Sequence, residues 1–222
     1  WWIYHIRYGY CIIYNVRMSE NYNIELYFPT PIYNVENMFS KEQNVKWADE
    51  LLKVKENNPI QSTYWPGDTY TTCGPLHDGL KENEIFYPLN TIVKDHVNNF
   101  AAQHDANQGL VCKESWANIS LLGNFQEFHC HEGRIISGIY YVKTPEGSGP
   151  LVFNNPRGPD MMPLIRKNSG NPTDILSTKR IIIKPKEGML ILFRSYLEHM
   201  VLPNKNTDPR ISISFNFSYD SY

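Results

Sequence analysis

Two histidines stand two positions apart in the segment FHCHEGR, residues 128–134. Alternate side chains of a β-strand point to the same face, about 7 Å apart at Cα, so His129 and His131 can converge on one metal ion. Runs of β-branched and aromatic residues flank the pair and predict a strand over 125–131. Such pairs also occur on solvated or hydrogen-bonded strand faces, so the pair alone leaves both interpretations open.

A third histidine and an arginine follow in predicted strands near the end of the chain. His199 lies in SYLEHMVLPN, and Arg210 opens the strand of PRISISFNFS with Ser212 on the same face. Two histidines, a distant third and an arginine, all in strand contexts, favour a built site over a chance assembly.

The N-terminal half is predicted to supply helices that support this site. SKEQ, starting at Ser40, fits a capping box, and apolar residues recur at helical spacing until NNP ends the pattern. A second helix is predicted in NTIVKDHVNNFAAQHDA, where His96 and His104 fall on or beside the apolar stripe and are interpreted as packing residues. His5 and His77 lie in aromatic or turn-rich contexts and receive the same interpretation.

After about residue 108 the pattern is strand and turn. Eight strands are predicted, at 116–122, 125–131, 135–143, 150–154, 180–184, 189–194, 198–202 and 210–218. This density predicts a closed or doubly layered antiparallel sheet, a jelly roll or barrel. The long polar connection 155–179 is predicted as a lid, in which Arg157 and Arg166 are either substrate contacts or solvated charges.

Composition limits the partners. A net charge of −2 and a pI near 6.4 give no electrostatic reason to expect nucleic acid or a membrane surface as partner. The four cysteines are spaced without a CxxC pair, which argues against a disulfide framework and a zinc knuckle and favours the cytoplasm. We expect residues 1–17 to be an extension before Met18, and 18–222 to be one domain with a supporting region, 18–107, and a β core, 108–222.

The chain resembles the Fe(II)- and 2-oxoglutarate-dependent dioxygenases, within them a prolyl-hydroxylase-like group of bacteria and phages with an HxH motif. The resemblance runs from ELYFPTPIY, through the histidine pair, to EGMLILFRSYLEHMVLPNKNTDPRISISFNF. The family order is a first metal motif, a tyrosine pair as in IYYVK, a glycine-led strand as in GPLVF, the distal histidine and the arginine strand. The resemblance implies a double-stranded β-helix of the jelly-roll, cupin-like type, mainly β with flanking helices.

The resemblance also implies the roles of individual residues. His129 and His199 match the two iron-binding histidines, and Arg210 matches the arginine that pairs with the distal carboxylate of 2-oxoglutarate. Ser212 and Tyr141 match further groups around that carboxylate. A guanidinium suits this role because it grips a carboxylate with two hydrogen bonds and stays charged at any pH.

The third metal ligand departs from the common pattern. Most of the superfamily has aspartate or glutamate where this chain has His131, which we favour as the ligand. Glu127, on the same predicted strand face as the histidines, is an alternative. Glu132 would reach the metal only if the strand bulges.

The implied activity is the hydroxylation of a C–H bond in an unidentified small or peptidyl substrate, with release of succinate and CO₂. A cupin-like metal enzyme that does not use 2-oxoglutarate is one alternative. A non-catalytic jelly-roll binding module is another. Trp116 and Asn118 are expected either to line the pocket or to pack in the core. The oligomeric state stays open, with a homodimer among the options.

Overall fold

Ten strands form two antiparallel sheets in the part of the chain that the computed structural model describes, residues 29–59, 69–73, 80, 83–104, 109–158 and 178–220. The larger sheet has the order β1-β8-β5-β10-β3-β2 and the smaller has β4-β9-β6-β7. The strands are β1 (Ile32–Val35), β2 (Tyr70–Thr71), β3 (Val111–Ser120), β4 (Gln126–His129), β5 (Ile136–Lys143), β6 (Leu151–Asn154), β7 (Arg180–Ile183), β8 (Leu190–Arg194), β9 (His199–Val201) and β10 (Arg210–Ser218).

Two long α-helices precede most of the strands in the part of the chain that the structure describes. Helix α1 (Lys41–Asn57) starts at the predicted cap, where the Ser40 side chain accepts a hydrogen bond from the Gln43 backbone N–H. Helix α2 (Tyr87–Ala102) begins before the predicted Asn90, because Pro88 is tolerated in the first turn of a helix. No helix in the described part of the chain is long and apolar enough to cross a membrane.

The two faces of the larger sheet bury different cores. One face packs against both helices through residues such as Trp47, Leu89 and Phe215. The other packs against the smaller sheet, where Ile191 and Phe193 of β8 meet Phe153 of β6. Strand β10 has both faces buried, since its apolar residues face the helices and its polar residues face the smaller sheet.

The predicted eight-stranded region is confirmed, with differences at strand ends. Strand β3 starts at Val111 rather than 116, because it pairs with β10 from Ser120 back to Val111. Strand β4 ends at His129, before the predicted end at 131. All these elements lie in the compact unit Ile32–Tyr222, and the predicted extension 1–17 lies outside the described residues. Of the cysteines in the described part of the chain, Cys130 is an exposed free thiol.

Candidate functional site

His129, His131 and His199 converge at the open end between the two sheets. Each offers one ring nitrogen, and these three atoms lie within 4.8 Å of one another. His129 and His199 are brought together by direct pairing of β4 with β9. The cluster contains no carboxylate among the described residues. Its three imidazoles therefore form a group that could hold one divalent ion.

Strand β4, which ends at the first histidine of the pair, is bulged. A register shift between Gln126 and His129 turns Gln126 inward, where it is buried and lines the cavity, while Glu127 is exposed. The prediction that Glu127 shares the face of His129 is wrong, because an extra residue in a bulge shifts the alternation of side chains. Glu132 is exposed in the turn that follows His131.

Backbone carbonyls orient two of the three rings. Nδ1 of His129 lies 2.7 Å from the Glu127 carbonyl oxygen, and Nδ1 of His199 lies 2.9 Å from that of Leu197. A carbonyl oxygen only accepts, so each Nδ1 carries the proton and donates it. The lone pair of each ring is thereby left on Nε2, which is the arrangement that a metal ligand needs.

The histidines are held in the neutral form. Burial lowers the pKa of His129 and lowers that of His199 well below its usual value, where the charge of His129 adds to the effect. Burial and then the neighbouring His129 lower the pKa of His131 to about 4. All three rings are therefore uncharged at neutral pH, so each carries one N–H and keeps one nitrogen lone pair.

Arg210 and Tyr141 form the opposite, closed end of the site. Arg210 is 2% exposed, and it donates from Nη1 to the Gly149 carbonyl oxygen at 3.0 Å and from Nη2 to Ser120 Oγ at 3.2 Å. Its Nε and the Tyr141 hydroxyl are both buried, and neither has a hydrogen-bond partner among the described residues. Burial raises the pKa of Tyr141 to about 12, against the opposing effect of Arg210.

The buried guanidinium has no anionic partner in the described part of the chain. The ion pairs found there join other residues, most of them on the surface. An arginine keeps its charge inside a protein, and an isolated buried charge is strongly unfavourable. The closed end of the site therefore has the polarity that suits a carboxylate.

Cross-strand rows of inward side chains connect the two ends. Each row contains residues that lie opposite one another on β3, β10 and β5. From the Arg210 end towards the histidines, the rows are Ser120 with Arg210; Asn118 with Ser212 and Tyr141; Trp116 with Ser214 and Ile139; and Glu114 with Asn216 and Ser137. Ser212 therefore lies on the face of Arg210 and directly across from Tyr141, as the prediction required.

A cavity beside the histidines is lined by residues of both sheets. Trp116 and Asn118 line it, which decides between the two interpretations offered by the sequence, and Ser214 and Gln126 line it as well. Gln126 Nε2 donates to Asn118 Oδ1 at 3.3 Å, and Asn118 Nδ2 donates to Ser214 Oγ at 3.1 Å. Sequence reasoning missed Gln126 and Ser214.

A signal for Ser214 is present in the sequence. RISISFNF places a polar residue at every second position of an otherwise apolar strand, and ESWANIS has Glu114, Asn118 and Ser120 in one register with Trp116 among them. Two polar stripes on buried strands indicate a lined cavity rather than a dry core.

The remaining predicted residues do not join the site. His96 Nδ1 lies 2.9 Å from the Tyr33 hydroxyl, and His104 Nδ1 lies 2.9 Å from the Phe100 carbonyl oxygen, as expected for packing residues. Arg157 is exposed at the start of the predicted lid. Arg166 and residues 159–177 lie outside the described residues, as do His5 and His77.

Comparison with known families gives one match, which covers the whole site. Residues 114–216 match the family described as "Putative 2OG-Fe(II) oxygenase". The matched segment includes all three clustered histidines together with Tyr141, Arg210 and Ser212. Among curated protein sequences, none matches the chain.

Solved structures establish the fold. A prolyl-4-hydroxylase from Pseudomonas putida superposes with a TM-score of 0.60 at 14% identity, covering 86% of this chain and 93% of that one. The α-ketoglutarate-dependent carbocyclase SnoK of nogalamycin biosynthesis gives 0.64 at 10%, covering 86% and 80%. A prolyl hydroxylase from Trichoplax adhaerens gives 0.59 at 13%, covering 86% and 84%. The predicted double-stranded β-helix is thereby confirmed.

Proposed function

We propose that this chain is an Fe(II)- and 2-oxoglutarate-dependent oxygenase, the family that its residues 114–216 match, and that it hydroxylates a C–H bond of a small or peptidyl substrate. In this proposal His129, His131 and His199 hold the iron, and Arg210, Tyr141 and Ser212 hold 2-oxoglutarate. The observation that carries the assignment is the buried, anion-free Arg210 beside the unpartnered Tyr141 hydroxyl.

The three histidines fit a divalent iron ion by donor type and protonation state. Neutral imidazole is a good ligand for iron, and the cluster sits where burial keeps its rings neutral. Three protein ligands leave positions open for other molecules. When bound, iron and 2-oxoglutarate together supply the activation of dioxygen that oxidises the substrate, with release of succinate and CO₂.

Arg210 fits the distal carboxylate of 2-oxoglutarate. A carboxylate near its Nε would supply the missing counter-charge and accept the unused hydrogen bond, and the Tyr141 hydroxyl could donate to the same group. The Gly149 carbonyl and Ser120 hydroxyl already hold the two terminal nitrogens in place. The guanidinium is therefore oriented before the ligand arrives, which reduces the entropy lost on binding.

The walls of the cavity hold water away from the reacting end. Phe193 and Phe153 pack on His199, with ring centroids 4.7 Å and 5.9 Å away. Trp116 lies 5.7 Å from His131 on the opposite side. These rings restrict the motion of the histidines and lower the local polarity, which strengthens the interaction of each nitrogen with a cation.

An anaerobic titration tests the proposal. Purified protein is loaded with Fe(II), 2-oxoglutarate is added, and the weak visible charge-transfer absorption of the combined complex is followed. We expect this absorption in the wild-type protein and in Lys186→Ala, a change at an exposed surface ion pair. It should be absent in His199→Ala and in Arg210→Met.

Each negative result has a separate meaning. Iron binding by the wild-type protein without the 2-oxoglutarate absorption would refute the cosubstrate assignment and favour a cupin-like metal enzyme. Failure to bind iron would refute the metal site and favour a binding module. Succinate release under air, measured with and without candidate substrates, then tests turnover.

A cytoplasmic location and the absence of nucleic-acid or membrane partners belong to the proposal as well. The wide spacing of the four cysteines, without a CxxC pair, supports a reducing compartment. The net charge of −2 supports the absence of polyanionic partners. Fractionation of the source cells tests the first point, and size-exclusion chromatography with light scattering would measure the open oligomeric state.

A further inference from the structure

His131 differs from the other two histidines in what faces its Nδ1. His129 and His199 each place this atom against a carbonyl oxygen, which accepts a hydrogen bond. Nδ1 of His131 instead lies 3.4 Å from Nδ2 of Asn216. An amide NH₂ group only donates, so this contact is favourable when Nδ1 of His131 carries the lone pair.

The orientation of the Asn216 amide is determined by its other neighbours. Its Nδ2 donates to Glu114 Oε2 at 2.7 Å, and its Oδ1 accepts from Ser137 Oγ at 2.7 Å. A carboxylate accepts and does not donate, so the nitrogen of the amide must face Glu114. The reversed amide would set two oxygens against each other at this distance.

Arg134 holds Glu114 in this position. Its Nη2 lies 2.6 Å from Oε1 and its Nε lies 3.3 Å from Oε2, a two-point contact between half-buried side chains. Such paired contacts restrict a carboxylate more than a single hydrogen bond does. Arg134, Glu114, Asn216 and His131 therefore form one chain of contacts that ends at a proposed metal ligand.

We propose that Asn216, oriented by Glu114, is a positioning residue that keeps metal-free His131 in the tautomer with the proton on Nε2. This inference rests on the proposed function in that His131 is the third metal ligand. The metal-free site then contains two histidines ready to bind through Nε2 and one that is not. Binding through Nε2 of His131 requires its proton to move to Nδ1 and the facing amide to turn.

The arrangement makes His131 the weakest of the three ligands. A proton on Nδ1 would point at an N–H of Asn216, and turning the amide would break its hydrogen bonds to Glu114 and Ser137. Outer hydrogen bonds of this type commonly change metal affinity by about 10- to 100-fold. His129 and His199 incur no such cost.

Nitrogen NMR of the histidine side chains tests the tautomers directly. Metal-free protein labelled with ¹⁵N on histidine is studied at neutral pH through long-range proton–nitrogen correlations, with each histidine assigned by substitution. We expect the Nδ1–H tautomer for His129 and His199 and the Nε2–H tautomer for His131. An Nδ1–H tautomer at His131 would overturn the inference.

A matched pair of variants tests the consequence with Zn(II) alone as the probe. Asn216→Asp places an acceptor opposite Nδ1 of His131, whereas Asn118→Asp adds the same charge to the wall of the histidine-lined cavity, where no contact with that atom is present. We expect Zn(II) to bind about tenfold more tightly to Asn216→Asp than to Asn118→Asp. Equal affinities would show that charge alone acts and would overturn the inference.

These measurements separate the two proposals. The tautomers are read without metal or 2-oxoglutarate, so they remain informative if the iron assignment fails. If Asn216→Asp does not fold, the wild-type spectrum still decides the inference. If wild-type protein binds no Zn(II) while the tautomers are as expected, the proposed metal site fails and the orienting role of Asn216 stands.

Discussion

The two ends of the cavity differ in their electrostatic character. At the open end, three neutral histidines cluster with their side-chain pKa values lowered by burial. At the closed end, a buried guanidinium stands without an acidic partner among the described residues. The first end can accept a cation and the second an anion, so a dianionic chelator that reaches from one to the other would satisfy both.

The histidine cluster also differs in total charge from a triad that contains a carboxylate. A facial triad with a carboxylate places one negative ligand on the metal, whereas the His129–His131–His199 cluster places none. With the same metal and cosubstrate, the loaded site is one unit more positive. Glu114 lies behind Asn216 and partly offsets this, but its ion pair with Arg134 reduces the effect.

Removal of the most buried proposed ligand should have the largest effect, which is a loss of metal affinity at the histidine cluster. His199→Ala deletes a ring that is 2% exposed and lies opposite His129 on the neighbouring strand of the smaller sheet. We expect Zn(II) or Co(II) affinity to fall by at least about 100-fold, more than for a change in an outer contact. Calorimetric metal titration measures this, and normal metal affinity in the variant would contradict the cluster as a metal site.

Loss of the buried charge should weaken 2-oxoglutarate binding at the closed end and leave metal binding unchanged. Arg210→Met removes the guanidinium but keeps a long apolar side chain, so 2-oxoglutarate affinity should fall about 30- to 100-fold, as for a lost charged hydrogen-bond pair. Zn(II) affinity should stay within about twofold of the wild-type value, since Arg210 contacts no histidine. Parallel titrations with Zn(II) and then 2-oxoglutarate test both expectations.

Arg210→Met also tests whether the buried charge destabilises the protein without ligand. The free energy of unfolding without ligand should change by less than about 2 kcal/mol, because the lost hydrogen bonds are offset by removal of a buried charge. A much larger loss, measured by urea denaturation, would mean that Arg210 serves the fold rather than a ligand.

A smaller substitution at the closed end tests the contribution of the Tyr141 hydroxyl. Tyr141→Phe removes a hydroxyl that is buried without a partner, so the empty protein should be as stable as wild type or up to about 1 kcal/mol more stable. Affinity for 2-oxoglutarate should fall about 5- to 10-fold, the contribution of one neutral donor to a carboxylate. Unchanged affinity would remove Tyr141 from the binding site.

The smallest expected effect is a pH dependence of folding stability that arises from the histidine cluster without metal. Because the pKa of His131 is lowered to about 4 in the folded state, the unfolded chain takes up the proton first as pH falls below 6.5. His131 should therefore lower stability progressively between about pH 6.5 and 4, with no effect above that window. The stability of wild type relative to His131→Asn, measured with chelator at pH 7.5, 6 and 5, should decrease towards low pH.

An unchanged difference between wild type and His131→Asn across this range would mean that the ring is solvated and titrates normally. Saturating Zn(II) should add stability at pH 7.5, where the lone pairs are free. It should add less as the pH falls, since protons compete with the metal for the same nitrogens.

Local patterns in the chain were sufficient for much of the fold. Ser40 caps its helix as predicted, and the polar and apolar alternation of RISISFNFS is the inward and outward alternation of β10. Both depend on residues a few positions apart, where helix and strand geometry leave few options. The family order of motifs then supplied the roles of His129, His199 and Arg210.

Other features could not be predicted from local patterns. The bulge that exposes Glu127 and buries Gln126 arises where β4 fits against β9, and its alternation departs from the regular period of a strand. Helix α2 also began earlier than expected, at a proline whose tolerance depends on its place in the first turn.

The sequence by itself determined which chemical groups this protein has and on which strand faces most of them stand, because side-chain period follows from backbone geometry alone. Only the tertiary structure decided that Arg210 has no acidic partner in the part of the chain that the structure describes, and that Asn216 presents a nitrogen to His131. These properties depend on contacts between residues distant in the chain, such as Glu114 with Asn216 and Ser120 with Arg210. Hydrogen bonds act over about 3 Å, a precision that spacing along a chain does not encode.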